Sequence, residues 1–165
     1  AAAEAFFDRP FEEELVREAF AEVRVPGRFE VVGREPTVVL DAAHNVDGAR
    51  SCAATLSEEF LLGGSLIVVA GFLGGRDPAE MLAALGARDA GFLLACTPDS
   101  PRAIPAPQVA AAAEGLGIVA EAVSSVEDAV HRALALASAD DLILVTGSLY
   151  VVGPARTLLR TEVVP

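Results

Sequence analysis

Five short apolar runs recur along the chain, at residues 38–40, 66–70, 92–95, 118–120 and 142–145, each followed by loop signals and then by apolar residues at helical spacing. The runs are continuous, with no polar residue in alternation, and strands covered on both faces read this way. Strand and helix in alternation predict an α/β fold, Rossmann-like: an open, mostly parallel sheet with helices on both faces and right-handed crossovers. At 165 residues the chain has the size of one ordinary domain, able to bury a core without disulfides or metals.

Helix signals fill the gaps between the runs. Residues 11–23 carry Leu15, Val16, Ala19, Phe20 and Val23 at helical spacing, with Glu12, Glu13 and Glu14 in the first turn, where the helix dipole favours acid. Pro26 and Gly27 break that helix, making a candidate hinge, and residues 29–32 read as a short strand. Asn45 precedes a helix from 46 to about 60, and Asp77-Pro78-Ala79-Glu80 supplies a cap, a first-turn proline and an N3 carboxylate. Ser124 and Glu127 have capping-box spacing ahead of a stripe formed by Val126, Ala129, Val130, Ala133, Leu134 and Ala137. The Pro/Ala-biased stretch 101–115 runs from loop into helix.

Charge narrows the function. The net charge of −12 repels polyanions, so nucleic acid is excluded as a partner and any phosphate site is local. All twelve basic residues are arginine, which excludes a G-x-x-x-x-G-K phosphate loop because that loop needs its lysine at the phosphates. No apolar run approaches the roughly 20 residues needed to span a bilayer, so no membrane role is expected. Cys52 and Cys96 lack metal-ligand spacing and read as buried free thiols of a cytoplasmic protein. No targeting peptide is apparent, and the start "AAAEAFF" reads as that of a fragment.

In open α/β sheets ligands gather at the carboxyl ends of the strands, so the residues just past each apolar run are the candidate site. There stand Asp41, His44 and Asn45, then "GFLGGRD" with Arg76, then "CTPDSPR" with Arg102, then "TGSLY" with Thr146, Ser148 and Tyr150. Asn45 either caps its helix or joins His44 and the helix N-terminus in facing phosphate, while Asp41 either holds the loop or accepts from ribose hydroxyls. Arg76 follows two glycines and Arg102 lies in a loop stiffened by Pro98 and Pro101; each is either a surface arginine or a bidentate ligand for phosphate or carboxylate. The hydroxyls of "TGSLY" suit a small polar substrate, and a plain turn is equally compatible. "GLGIVA" at 115–120 matches G-x-G-x-x-A but precedes its strand, so it has no dinucleotide-binding geometry, and His131 lies on the polar face of its helix.

The segments "VPGRFEVV", "VVLDAAHNVDGA", "TPDSPRA", "SSVEDAV" and "LILVTGSLYVVGPAR", in this order and spacing, resemble the C-terminal domain of folylpolyglutamate synthase or its bifunctional dihydrofolate synthase form, within the Mur ligase superfamily. The resemblance implies that residues 1–24 are the helical tail of a preceding ATPase domain and its linker, and that 25–165 are the Rossmann-like ligase domain. It implies an ATP-dependent amide ligase. The pteroate or folate carboxylate takes the γ-phosphoryl group, and L-glutamate's amine attacks the acyl phosphate.

By position, Arg28 of "PGRFE" would reach the ATP phosphates as a catalytic charge stabiliser, and Asp41 would contact the ribose. His44 would be catalytic, and both His44 and Asn45 would lie close to the phosphates or the acyl phosphate; Arg102, Ser148, Thr146 and Arg76 would position glutamate. The phosphate loop and the Mg²⁺ ligands would belong to the ATPase domain, leaving no metal site here and no activity in isolation. Two departures stand out: Ala42 and Val46 replace the family's usual glycine and proline, and Gly75-Arg76-Asp77 stands where the family has Asp-Lys-Asp. The rival readings are another superfamily ligase with a different amino acid, and a non-catalytic α/β binding module.

Overall fold

The computed structural model describes residues 2–23, 25–60 and 63–162. Arg24, at the expected domain boundary, lies outside the described residues. Two short helices, α1 (Ala2–Phe7) and α2 (Glu13–Glu22), precede the sheet. The strands are β1 (Glu30–Arg34), β2 (Thr37–Asp41), β3 (Leu66–Ala70), β4 (Phe92–Cys96), β5 (Ala120–Val123) and β6 (Leu142–Thr146). Between and after them come α3 (Val46–Glu59), α4 (Pro78–Ala84), α5 (Ala106–Gly115), α6 (Val126–Leu136) and α7 (Leu149–Glu162).

The six strands are ordered β1-β2-β6-β3-β4-β5. All neighbours are parallel except the edge strand β1, which returns antiparallel on β2. The expected mostly parallel sheet is therefore the observed one.

Alternate strand residues feed opposite faces, the period-2 geometry of a sheet. Val39, Val68, Leu93 and Leu144 pack against α3, α4 and α5 through residues such as Cys52, Met81 and Val109. Val38, Ile67, Val69, Leu94, Ile143 and Val145 pack against α6 and α7 through Val126, Val130, Val151 and Val152. Each such Val or Leu, fully buried, contributes about 1.5–3 kcal/mol, which is why these runs contain nothing polar. Both faces close within residues 38–159.

The caps at Asn45 and Asp77 form as the sequence predicts, accepting from Gly48 N at 2.7 Å and Ala79 N at 2.9 Å. Two local expectations are corrected. The fifth strand runs over 120–123, because Gly117 turns with φ +81°, Ile118 is buried beside α5, and pairing with β4 starts only at Leu93↔Ala120. The cap of α6 is Ser125, which accepts from Asp128 N at 3.0 Å, so the box partner is Asp128 and not Glu127. The stripe on α2 has no buried residue: Leu15, Phe20 and Val23 are 56%, 75% and 60% exposed.

Candidate functional site at the carboxyl ends of the strands

The parallel strands deliver four loops to one end of the sheet. In-register pairing of Asp41 with Thr146 and of Ala70 with Thr146 aligns the ends of β2, β6 and β3, and Ala70↔Ala95 aligns β4 with them. The loops after β3 and β4 then clasp each other: Ile104 N donates to Phe72 O at 2.9 Å, and Gly74 N to Arg102 O at 2.6 Å. That clasp brings the glycine loop and the proline-stiffened loop to one place. Gly147 makes the turn into α7 with φ +106°, and a Cβ there would collide with Gly71 O and the Phe72 ring. No side chain other than hydrogen fits.

The resulting cleft, about 240 Å³, is lined by His44, Leu73, Gly74, Arg76, Arg102, Gly147, Ser148, Leu149 and Tyr150. Two arginines and a histidine border it and, among the described residues, no carboxylate does, although the chain as a whole carries −12. The cleft is thus a local cationic site on an acidic protein.

Its cations are held in different ways. Arg76 donates from Nε to His44 O at 2.8 Å and from Nη1 to Gly75 O at 3.1 Å, so its guanidinium ties the β3 loop to the β2 loop. Backbone carbonyls orient that charge without neutralising it. Among the described residues the Arg102 guanidinium makes no hydrogen bond or ion pair, although its backbone amide donates to Ser100 Oγ at 3.3 Å. It is the cation most available to an anionic ligand.

Two hydroxyls complete the floor. Thr146 Oγ1 and Ser148 Oγ are buried, the residues being 0% and 3% exposed, and neither has a hydrogen-bond partner among the described residues. An unsatisfied buried hydroxyl destabilises a fold by about 1–3 kcal/mol, so both call for an explanation, and a polar ligand is one. Ser148 lines the cleft, whereas Thr146 lies beneath it at the end of β6.

The β2 loop is the other half of the site. Ala42 O accepts from Arg28 Nη1 at 3.0 Å and from His44 Nδ1 at 3.1 Å, which brings these two sequence-predicted residues to a single carbonyl. Because a carbonyl only accepts, His44 carries its proton on Nδ1 when neutral and leaves Nε2 as an acceptor. Arg28 lines a second cavity, about 530 Å³, formed by the linker, β1 and the α7 residues Leu159 and Arg160. Asp41 and Asn45 line neither cavity. Asp41 accepts from Phe29 N and Ala43 N, at 3.0 and 2.9 Å, and Asn45 caps α3.

The cleft thus brings together His44, Arg76, Arg102 and Ser148, with Arg28 one carbonyl away and Thr146 beneath, and it does not take in Asp41 or Asn45. Sequence reasoning did not single out Leu73, Leu149 or the linker cavity; a leucine in a glycine loop is the one signal that could have found Leu73. Among the described residues, no three His, Cys, Asp or Glu side chains lie together as a metal site would need. No described helix is long and apolar enough to cross a membrane.

Fold and cleft define an open α/β ligand-binding domain with a cationic site at the carboxyl ends of its strands. Residues 27–149 match the family described as Mur ligase, glutamate ligase domain, and the chain belongs to that family. A probable bifunctional folylpolyglutamate synthase/dihydropteroate synthase of Halobacterium salinarum is 44% identical over 133 residues, which cover 80% of this chain and 16% of that protein. Among solved structures, Mycobacterium tuberculosis folylpolyglutamate synthase complexed with ADP superposes with a TM-score of 0.84 and 35% identity, covering 94% of this chain and 37% of that one. A bifunctional folylpolyglutamate synthase/dihydrofolate synthase with Mn, AMPPNP and L-glutamate bound gives 0.79 and 29%, covering 93% of this chain and 36% of that one. The chain therefore spans well under half the length of these relatives.

Proposed function

We propose that this chain is the C-terminal ATP- and glutamate-binding domain of an ATP-dependent amide ligase that adds L-glutamate to dihydropteroate or folate through an acyl phosphate. On this reading residues 1–24 are the tail and linker of an ATPase domain that carries the phosphate loop and the Mg²⁺ ligands, and 25–165 are the ligase domain. The enzyme works in the cytoplasm, and this chain alone does not turn over.

The observation that carries the reading is the acid-free cleft with two arginines and an orphaned serine hydroxyl. A cavity of about 240 Å³ admits an amino acid of glutamate's size. Arg102, with the unused Nη2 of Arg76, offers guanidinium donors to its carboxylates, and Ser148 Oγ gains the partner it lacks. The absence of a lining carboxylate serves the chemistry as well. Nearby cations disfavour an ammonium, so the bound amine is biased toward its neutral, nucleophilic form. Arg28 and His44 are joined at Ala42 O, and on this reading the acyl phosphate forms beside them. An arginine there offsets charge on the transferring phosphoryl group.

The test is phosphate release by the full-length parent ligase with each pteroate or folate acceptor, with L-glutamate set against other amino acids. Release that depends on L-glutamate and is weakened by Arg102→Ala through the KM for glutamate is the expected result. Preference for another amino acid would reassign the substrate, and release independent of any amino acid would refute the ligase reading.

A further inference from the structure

Arg28 stands on a short turn that is closed by the side chain of Glu30, the first residue of β1. Glu30 Oε2 accepts from Gly27 N at 2.8 Å, which seals a ring over Arg28 and Phe29, and the same oxygen accepts from Arg156 Nε of α7 at 2.7 Å. Arg160, one helical turn on, reaches Oε1 at 3.5 Å. Gly27 is buried, so its amide needs an acceptor, and the carboxylate supplies it.

The turn is conformationally unfavourable and has to be held from outside. Phe29 has φ +45°, a region that bulky residues rarely adopt and that persists only where the surroundings over-determine it. Gly27 has φ +70°, and a Cβ there would meet Val152 Cγ1 at 2.7 Å, so the turn is pressed against α7. Arg28 N donates to Val25 O at 3.0 Å, Ala42 N donates to Gly27 O at 2.8 Å, and from this base Arg28 Nη1 reaches Ala42 O at 3.0 Å.

Charge matters as much as shape. Glu30 and Arg28 border the same cavity, where an unpaired carboxylate would cancel the guanidinium. Arg156 and Arg160 take up that negative charge from the α7 side, so Glu30 can hold the turn while Arg28 keeps its field.

We propose that Glu30, held by Arg156, is a positioning residue: it closes the turn over Arg28, docks it on α7 and so presents an uncancelled Arg28 guanidinium to the transferring phosphoryl group. The proposal rests on the reading of Arg28 as a charge stabiliser given above.

Two measurements test it. In the 165-residue chain, the NMR shift of the Gly27 amide proton should move as Glu30, held by Arg156 below its ordinary 4.5, is titrated with acid, and Glu30→Gln should abolish that movement. A Gly27 amide indifferent to the titration overturns the clamp. In the full-length ligase, Glu30→Gln should lower kcat about tenfold or more while the KM for glutamate holds within about twofold, and the double variant with Arg28→Ala should be no slower than Arg28→Ala alone.

Val130→Ala separates positioning from lost stability. Val130 is buried between α6 and the sheet, away from the turn, so its truncation lowers Tm and should leave kcat unchanged at a temperature where both variants are folded. An equal loss of kcat in Val130→Ala would overturn the proposal. So would normal turnover by Glu30→Gln, or losses that multiply in the double variant, where Arg28→Ala alone is impaired; these outcomes leave the reading of Arg28 standing. Normal turnover by Arg28→Ala refutes that reading, and the proposal falls with it.

Discussion

Glu30 fixes the linker to the domain, and removing its charge should have a measurable effect. Its side chain is 19% exposed; Oε2 accepts from Gly27 N at 2.8 Å and from Arg156 Nε at 2.7 Å, while Arg160 reaches Oε1 at 3.5 Å. Hydrogen bonds to a charged group contribute about 1.5–3 kcal/mol each, and the Arg160 pair, with that arginine 62% exposed, contributes about 0.5 kcal/mol or less. Glu30→Gln keeps the shape and one acceptor oxygen but removes the charge that both strong partners use. It should therefore lose ~2 kcal/mol, which for a chain of this size lowers Tm by about 4–8 °C.

The pH dependence has a definite sign. Arg156's hydrogen bond, opposed by partial burial and aided by the Gly27 amide and the nearby guanidinium charges, holds the Glu30 carboxyl below its ordinary 4.5. A depressed carboxylate stabilises the fold fully above its unfolded value and loses that contribution as pH falls through the folded value. The gap between wild type and Glu30→Gln, read by thermal unfolding, should be complete at pH 7 and close below 4.5. A loss under about 0.5 kcal/mol at pH 7, or a gap that persists unchanged in acid, would refute this account.

Three further predictions concern the cleft and the surface. Ser148→Ala removes an unpartnered buried hydroxyl, so it should raise stability by about 1 kcal/mol while weakening glutamate binding; chemical denaturation and the KM for glutamate check the two halves. Gly147→Ala forces a Cβ into Gly71 O and the Phe72 ring at φ +106°, and denaturant unfolding should show a loss of about 2 kcal/mol or more. Raising salt from about 0.05 to 1 M should increase Tm, because a net charge of −12 repels itself and is screened; a Tm that falls instead would mean that exposed ion pairs dominate.

What the sequence discloses follows from what burial demands. β2, β3, β4 and β6 were legible because each is covered on both faces and so carries an uninterrupted apolar run. β5 was misplaced because it is an edge strand: Glu121 and the exposed Ala122 are tolerated there, while the buried Ile118 lies in the loop before it. The α6 cap was ambiguous because Ser124 and Ser125 each have an acid three residues on, and only the length of β5 selects Ser125. The site loops could be found because they follow the apolar runs. The bond from Phe29 N to Asp41 could not: it depends on β1 returning antiparallel beside β2, and on a left-handed phenylalanine that no local signal announces.

The distribution of arginines explains how so acidic a chain can present a site for anions. Away from the cleft, five arginines are matched with carboxylates: Arg17 with Glu13, Arg50 with Asp47, Arg132 with Glu121, and Arg156 and Arg160 with Glu30. At the strand ends the pairing changes. Arg28 and Arg76 bond to backbone carbonyls, and Arg102 to no described group, so these three charges are oriented or left open and none is cancelled. A carboxylate partner would have fixed them equally well, yet would have removed the potential that an anionic substrate needs. The β2 loop resolves that conflict with backbone: Ala42 O aims both Arg28 and His44, while Asp41 is turned onto the amides of Phe29 and Ala43. The same fold therefore turns Asp41 to structure and leaves the cations of the crevice uncompensated.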